Sequence, residues 1–205
     1  MNALILVDIQ NDFVPGGSLP VREGNTILPL VNILQHSFPL VIATQDWHPA
    51  GHRSFASTHP GKTPFETTRL RGLHQVLWPD HCVQGSKGAE FHPALQMNKV
   101  EAIFRKGMAP EIDSYSGFSD NGHQKSTGLA GYLREREVKK VFVCGLAADY
   151  CVAFTALDSL KEKFDTYVIE DATRPIDLKN LEKMNHDITQ QGGKIIRSEN
   201  LARSL

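Results

Sequence analysis

Six apolar runs recur in this chain, most of them without alternation, and that restricts the sheet they can build. Ala3–Val7, Leu40–Thr44, Val100–Phe104, Val141–Val143 and Tyr167–Ile169 are β-rich, and Lys194–Ile196 is a weaker sixth. A strand with one wet face turns polar at every second residue. Most of these runs do not, so their strands are covered on both faces, the condition of a parallel sheet. Helical spacings lie between many of them. Asn25 is placed to cap a helix through Ile27, Leu30, Val31 and Leu34, with Pro29 confined to its first turn. Leu129, Tyr132 and Leu133 mark another helix, and Asp177 caps a third that carries Leu181, Met184 and Ile188. This alternation predicts an α/β fold with a mostly parallel sheet and helices on both faces.

At 205 residues the chain suits one domain, 1–205. A formal net charge of −1 leaves no electrostatic footprint for nucleic acid or an anionic membrane. The first apolar run meets Asp8 too soon for a signal peptide or a membrane span. Three cysteines, an odd number, argue against a disulfide framework, and the expected compartment is a reducing cytoplasm. Gly16-Gly17 and Gly85-Ser86-Lys87-Gly88 lack the spacing of a phosphate loop and read as turns. The oligomeric state is left open between monomer and homo-oligomer. One segment, about 46–98, breaks the rhythm: it shows no strong period but holds two tryptophans and six histidines. A loop that long in a compact domain is functional or disordered, and its aromatic content argues for function.

In open parallel sheets, ligands bind beyond the carboxyl ends of the strands. Asp8 follows the first run, Gln45-Asp46-Trp47-His48 the second, Arg105-Lys106 the third, and Gly145–Cys151 the fourth. An acid, a second acid with a histidine, a lysine and a cysteine therefore share one rim. Cys151 sits at a strand-to-helix turn, where the helix dipole favours thiolate. Asp8 is positioned as its base if burial raises its pKa, and Lys106 as the charge that balances the cluster. Cys144, inside a strand pattern, and Cys82 read as packing residues. Asp46 and His48 alternate on an extended segment and can face one ion together. His81, in Trp78-Pro79-Asp80-His81-Cys82, completes two histidines and a carboxylate, a set that leaves coordination positions open. His52 and His59 are reserve candidates and His74 and His92 weaker ones; none of the four is assigned.

These residues resemble the nicotinamidase/pyrazinamidase branch of the isochorismatase-like cysteine hydrolases over nearly the whole chain. The resemblance rests on Val7–Phe13, Thr44–Pro49, Trp78–Val83, Phe104–Gly107, Asp113–Phe118 and Gly145–Cys151. It implies a three-layer α/β/α fold of Rossmann-like topology and the hydrolysis of nicotinamide to nicotinate and ammonia through a cysteine thioester, with a role in NAD salvage. Pyrazinamide follows as a second substrate from ring similarity, and a related amidohydrolase acting on another small amide is the alternative. Asp8 is implied as base, Lys106 as electrostatic partner and Cys151 as nucleophile. The peptide bond before Ala147 is implied to be cis, aiming the N–H groups of Ala147 and Cys151 at the oxyanion. Phe13, Trp78 and Tyr115 are implied to hold the ring. Its nitrogen binds a divalent metal on Asp46, His48 and His81, with Zn²⁺ the first choice and Fe²⁺ or Mn²⁺ the others. Ala148 departs from the threonine expected at its place.

Overall fold

The sheet that the apolar runs predict is present, and every strand pair in it is parallel. The computed structural model describes residues 1–205. The main strands are β1 (Asn2–Val7), β2 (Leu40–Asp46), β5 (Val100–Lys106), β6 (Lys140–Leu146), β7 (Asp165–Arg174) and β8 (Lys194–Ile196). They lie in the order β5-β2-β1-β6-β7-β8. The chain therefore starts in the middle, builds outward to one edge, returns to the centre and builds to the other. That is the doubly wound order, and it reverses between β1 and β6.

Successive side chains of β1 point to opposite faces, and both faces are buried. Leu4 and Leu6 join a core of 26 buried residues that includes Leu28, Val31 and Leu34 of α1 (Leu28–Leu34) and Leu201 of α5 (Leu201–Ser204). Ala3, Ile5 and Val7 join a second core of 20. This one is closed by Leu129 and Leu133 of α2 (Leu129–Glu135), Ala156 of α3 (Ala153–Lys161), and Met184 and Ile188 of α4 (Leu178–Gln190). Burying a side chain such as Leu or Ile contributes roughly 1.5–3 kcal/mol, so the two cores hold the helices to the sheet. The result is the three-layer α/β/α fold.

Two local expectations change. Asp177 does cap α4, its carboxylate accepting the Asn180 N–H at 2.8 Å. Asn25 caps nothing. It lies in a 3₁₀ turn, Gly24–Ile27, and α1 begins only at Leu28 with Pro29 in its first turn. The segment 46–98 is also not all loop. It contains an antiparallel hairpin, β3 (Thr67–Leu70) and β4 (Leu73–Val76), whose mixed polar composition hid it from a search for apolar runs.

The reversal point needs a close approach of backbones. Gly145 on β6 has φ +120°, and a Cβ there would stand 2.1 Å from the Val7 carbonyl oxygen. Only glycine fits, and β1 and β6 consequently end side by side, with Asp8 past one and Ala147–Cys151 past the other.

Candidate active site

Asp8 ends β1 in a left-handed conformation, φ +47°, uncommon for a residue with a side chain. It is completely buried. Thr44, on β2, donates to its Oδ1 at 2.6 Å, and the Lys106 ammonium lies 2.8 Å from Oδ2. Burial pushes the Asp8 carboxyl above its ordinary value and the Asp46 charge adds to the rise, while Lys106 and Thr44 pull the other way. A raised carboxyl is what a base that must later return its proton requires.

Lys106 ends β5 and is equally buried. Its Nζ reaches Asp8 Oδ2, Asp46 Oδ1 at 3.0 Å and the Ser114 carbonyl at 2.8 Å, with Cys151 Sγ 3.5 Å away. Its three protons thus go to Asp46 Oδ1, the Ser114 carbonyl and Cys151 Sγ, and Asp8 Oδ2 is the fourth neighbour, held as an ion pair. Burial disfavours the ammonium, yet the two carboxylates hold its pKa well above the ordinary value. Lysine therefore joins the cysteine side of the site to Asp46, a link that strand ends alone do not reveal.

Beyond β6 the Leu146–Ala147 peptide is cis, and Cys151 lies in a π-helical turn, Ala148–Val152, that runs into α3. Burial raises the Cys151 thiol well above its usual range; Lys106 opposes this while Asp8 and Asp46 reinforce it. Burial thus works against the thiolate that the helix end favours. Asp149, before it, anchors the turn. Its carboxylate accepts the N–H groups of Ile176 at 2.8 Å and Asp177 at 3.0 Å.

Asp46 ends β2, and an extended backbone carries His48 two residues on. His48 pairs with the segment around Val83, its N–H donating to the Cys82 carbonyl at 3.0 Å, and this brings His81 alongside. Asp46 Oδ2 is 3.0 Å from His48 Nε2 and 3.5 Å from His81 Nε2. The other ring nitrogens face carbonyls, which can only accept: His48 Nδ1 donates to Gly107 O at 2.9 Å and His81 Nδ1 to Pro79 O at 2.7 Å. Each ring is thereby oriented with Nε2 toward Asp46, the arrangement metal-ligating histidines use. Three buried donor atoms lie within 4.8 Å of one another. The set fits a divalent ion with positions to spare. Burial opposes ionisation of His48, but the Asp46 carboxylate lifts its pKa. Burial likewise opposes ionisation of Asp46, but His48 and Lys106 hold its carboxyl well below its ordinary value. Gly107 is required here: a Cβ would stand 2.4 Å from His48 Cε1.

His52 is buried nearby, with Nδ1 2.7 Å from Ser54 Oγ and Nε2 2.8 Å from the Ala109 carbonyl. Its ring is engaged by hydrogen bonds on both sides. His59 turns its Nε2 to the Arg53 carbonyl. Cys82 and Cys144 are both buried in the core beneath α1.

Of the predicted ring contacts, Phe13 packs edge-on to His81 with centroids 5.4 Å apart, and Trp78 meets Tyr115 edge-on at 6.2 Å. Tyr150, missed in the sequence, joins Trp78 at 4.9 Å and Tyr115 at 5.4 Å. Its place one residue before Cys151 was the available signal. Gln10 was missed too. Its side chain exchanges two hydrogen bonds with the Asp46 backbone, both at 2.8 Å, and so fixes that carboxylate's strand end. Asp12 similarly accepts the Cys82 N–H at 2.7 Å, beside His81.

The isochorismatase domain matches residues 2–200. A nicotinamidase of Acinetobacter baylyi is 48% identical over 200 residues, 97% of this chain and 94% of that protein. Among solved structures, an Acinetobacter baumanii nicotinamidase/pyrazinamidase is 51% identical with a TM-score of 0.95, covering 98% of this chain and 97% of that one. The pyrazinamidase of Pyrococcus horikoshii, solved in complex with zinc, is 39% identical with a TM-score of 0.78, covering 96% and 98%. A domain match across the chain, near-half identity to a curated relative and this agreement of folds make the chain a member of the isochorismatase-like hydrolases, on their nicotinamidase/pyrazinamidase branch.

Proposed function

We propose that the chain hydrolyses nicotinamide to nicotinate and ammonia through a thioester on Cys151. The observation that carries this reading is the contact of Lys106 Nζ with Asp8, Asp46 and Cys151 Sγ within 3.5 Å. It sets a sulfur nucleophile and a buried carboxylate base against one charge, beside a buried ligand set.

Asp8 takes the Cys151 thiol proton as Sγ attacks the amide carbon. The N–H groups of Ala147 and Cys151 donate to the oxyanion, a contribution of about 3 kcal/mol for each donor of this kind. Asp8 passes its proton to the amide nitrogen, the C–N bond breaks and ammonia leaves an acyl thioester. Water then gives a proton to Asp8 while its oxygen attacks the thioester carbon. The C–S bond breaks, and the sulfur recovers a proton from Asp8. Lys106 keeps its own proton throughout, held by two carboxylates, and offsets the negative charge passed between sulfur and Asp8. Phe13, Trp78 and Tyr115 hold the ring. Asp46, His48 and His81 would hold a divalent ion, with Zn²⁺ the first candidate, which when bound would supply a Lewis acid for the pyridine nitrogen.

Pyrazinamide, which keeps a ring nitrogen in the same position, is a second substrate. The reaction recovers the pyridine ring as a carboxylic acid, a salvage step for pyridine nucleotides. Three free cysteines suit a reducing compartment such as the cytoplasm.

The test is ammonia release by the purified protein from nicotinamide and pyrazinamide. Cys151→Ala should abolish turnover of both while leaving the bound metal content unchanged. Dialysis against a chelator should lower turnover, and added Zn²⁺ should restore it. Turnover near the parent rate in Cys151→Ala would overturn the thioester route.

A further inference from the structure

One buried amide has no part in the scheme above, yet it reaches into the site from the hairpin. Gln75 lies on β4 and is only 2% exposed, although its neighbour His74 faces solvent. Its Nε2 lies 2.9 Å from Asp113 Oδ2, 3.0 Å from the Tyr115 hydroxyl and 2.7 Å from the Val76 carbonyl. An amide nitrogen has two protons, so three acceptors around it fix the head group in place. Both distant acceptors belong to one tripeptide, Asp113-Ser114-Tyr115. Asp113 Oδ1 accepts the Ser114 N–H at 2.7 Å. The Ser114 carbonyl takes a proton of Lys106, and the Tyr115 ring stands against Trp78 and Tyr150. The Gln75 amide therefore joins both ends of the segment whose middle residue seats the lysine and whose last residue faces the aromatic cluster, while Asn121 holds its backbone from the other side.

Docking the hairpin does not require an amide. A leucine of similar size would bury the same area without the cost of desolvating a polar group, about 1–3 kcal/mol when it is left unpaired. The polar identity is what the tripeptide needs, because Asp113 is a buried carboxylate and the Tyr115 hydroxyl lies beside it.

We propose that Gln75 is a positioning residue. Its amide clamps Asp113–Tyr115 so that the Ser114 carbonyl stays within reach of Lys106 and Tyr115 stays against the substrate ring. For its substrate this inference rests on the nicotinamide reading; for its geometry it does not.

The experiment is a donor–acceptor exchange. Gln75→Glu sets a carboxylate against Asp113, and Asp113→Asn sets an amide against Gln75. The double variant restores one amide and one carboxylate with their places reversed. Each single change should lower kcat/KM for nicotinamide by about 10- to 100-fold, with KM raised as well as kcat lowered. The double variant should recover most of that loss. Gln75→Leu, which adds no charge and nearly keeps volume but leaves Asp113 Oδ2 without a donor, should still fold, with a lowered thermal midpoint, and still show the loss. A second readout needs no substrate: the rate at which iodoacetamide alkylates Cys151, followed by mass spectrometry, should shift in the singles and return in the double. A double variant no better than the worse single, or Gln75→Leu with parental kcat, KM and alkylation rate, would overturn the clamp. If the parent protein released no ammonia from nicotinamide while the alkylation rates still followed the exchange, the functional reading would fail and the clamp would stand.

Discussion

Lys106 has more partners than protons, and that is the most consequential fact at the scale of single residues. Asp8 and Asp46 both depend on it. Without it, two carboxylates would remain buried and adjacent, with Thr44, the Cys151 thiol and the histidines as their polar company. Breaking one partner out of a buried ion pair costs about 3–5 kcal/mol, because the charge left behind is uncompensated. Lys106→Met preserves the bulk and removes the charge. It should lower the unfolding free energy by about that amount in the metal-free protein, read from urea midpoints at pH 7. It should also abolish turnover. A metal-free variant as stable as the parent would show that the carboxylates had simply taken up protons. Asp8, Lys106 and Cys151 were legible in the sequence as strand-end residues. Asp46, which also contacts Lys106, was read only as a metal ligand, because spacing along the chain says nothing about which rim residues touch.

Among the elements, the β3–β4 hairpin is the one the sequence concealed. Its strands read Thr-Thr-Arg-Leu and Leu-His-Gln-Val, with no apolar alternation to follow. Its turn residues, Arg71 and Gly72, both have positive φ, +48° and +83°. Two such residues make the tight turn whose twist matches a hairpin, and asparagine followed by glycine is its favoured sequence. Arginine in the first place conceals the signal and costs backbone strain. Arg71→Asn should therefore stabilise the fold by about 0.5–1 kcal/mol, raising the thermal midpoint by about 1–4 °C, with kcat and KM unchanged. Scanning calorimetry with a parallel activity assay decides it, and an unmoved or lowered midpoint would count against the turn assignment. Asn25 shows the opposite error. A good capping residue stood near an amphipathic run, but the backbone took a 3₁₀ turn first and the helix began after it.

At the scale of the whole molecule, three free thiols are sealed inside the two cores and the site. Burial alone raises Cys144 from its ordinary value of 9.0, and burial is the largest influence on Cys82 and Cys151 as well. The sign of the effect on stability follows. Below pH 9 these thiols are protonated in both folded and unfolded chains and contribute nothing that varies with pH. Above it the unfolded thiols ionise while the folded ones stay neutral, so stability falls as pH rises. Each thiol steepens that fall by up to ~1.4 kcal/mol per pH unit. Cys144→Ala lies away from Asp46, His48 and His81 and removes one such group. Its unfolding free energy should decline less steeply than the parent's between pH 9.5 and 11, by about one thiol's share, even though the smaller side chain lowers stability at every pH. Equal slopes in urea titrations across that range would contradict this account.

The sequence by itself determined that strands and helices alternate, that the central strands are buried on both faces, and that an acid, a lysine, a cysteine and candidate metal ligands lie at or past strand ends; edge strand β5, with Ile103 half exposed, is covered on one face only. Those properties are local: burial on two faces shows as an unbroken apolar run, and a strand end shows as the residue that breaks it. Only the tertiary structure decided which strand ends are neighbours. The order β5-β2-β1-β6-β7-β8, with Gly145 letting β6 close on β1, sets Cys151 near Asp8 and carries Lys106 across from the sheet edge to both acids. The supporting contacts of Gln10, Thr44, Gln75 and Asp113 were likewise illegible. Each joins residues far apart in the chain, and the free energy of such a contact depends on partners that no stretch of sequence contains.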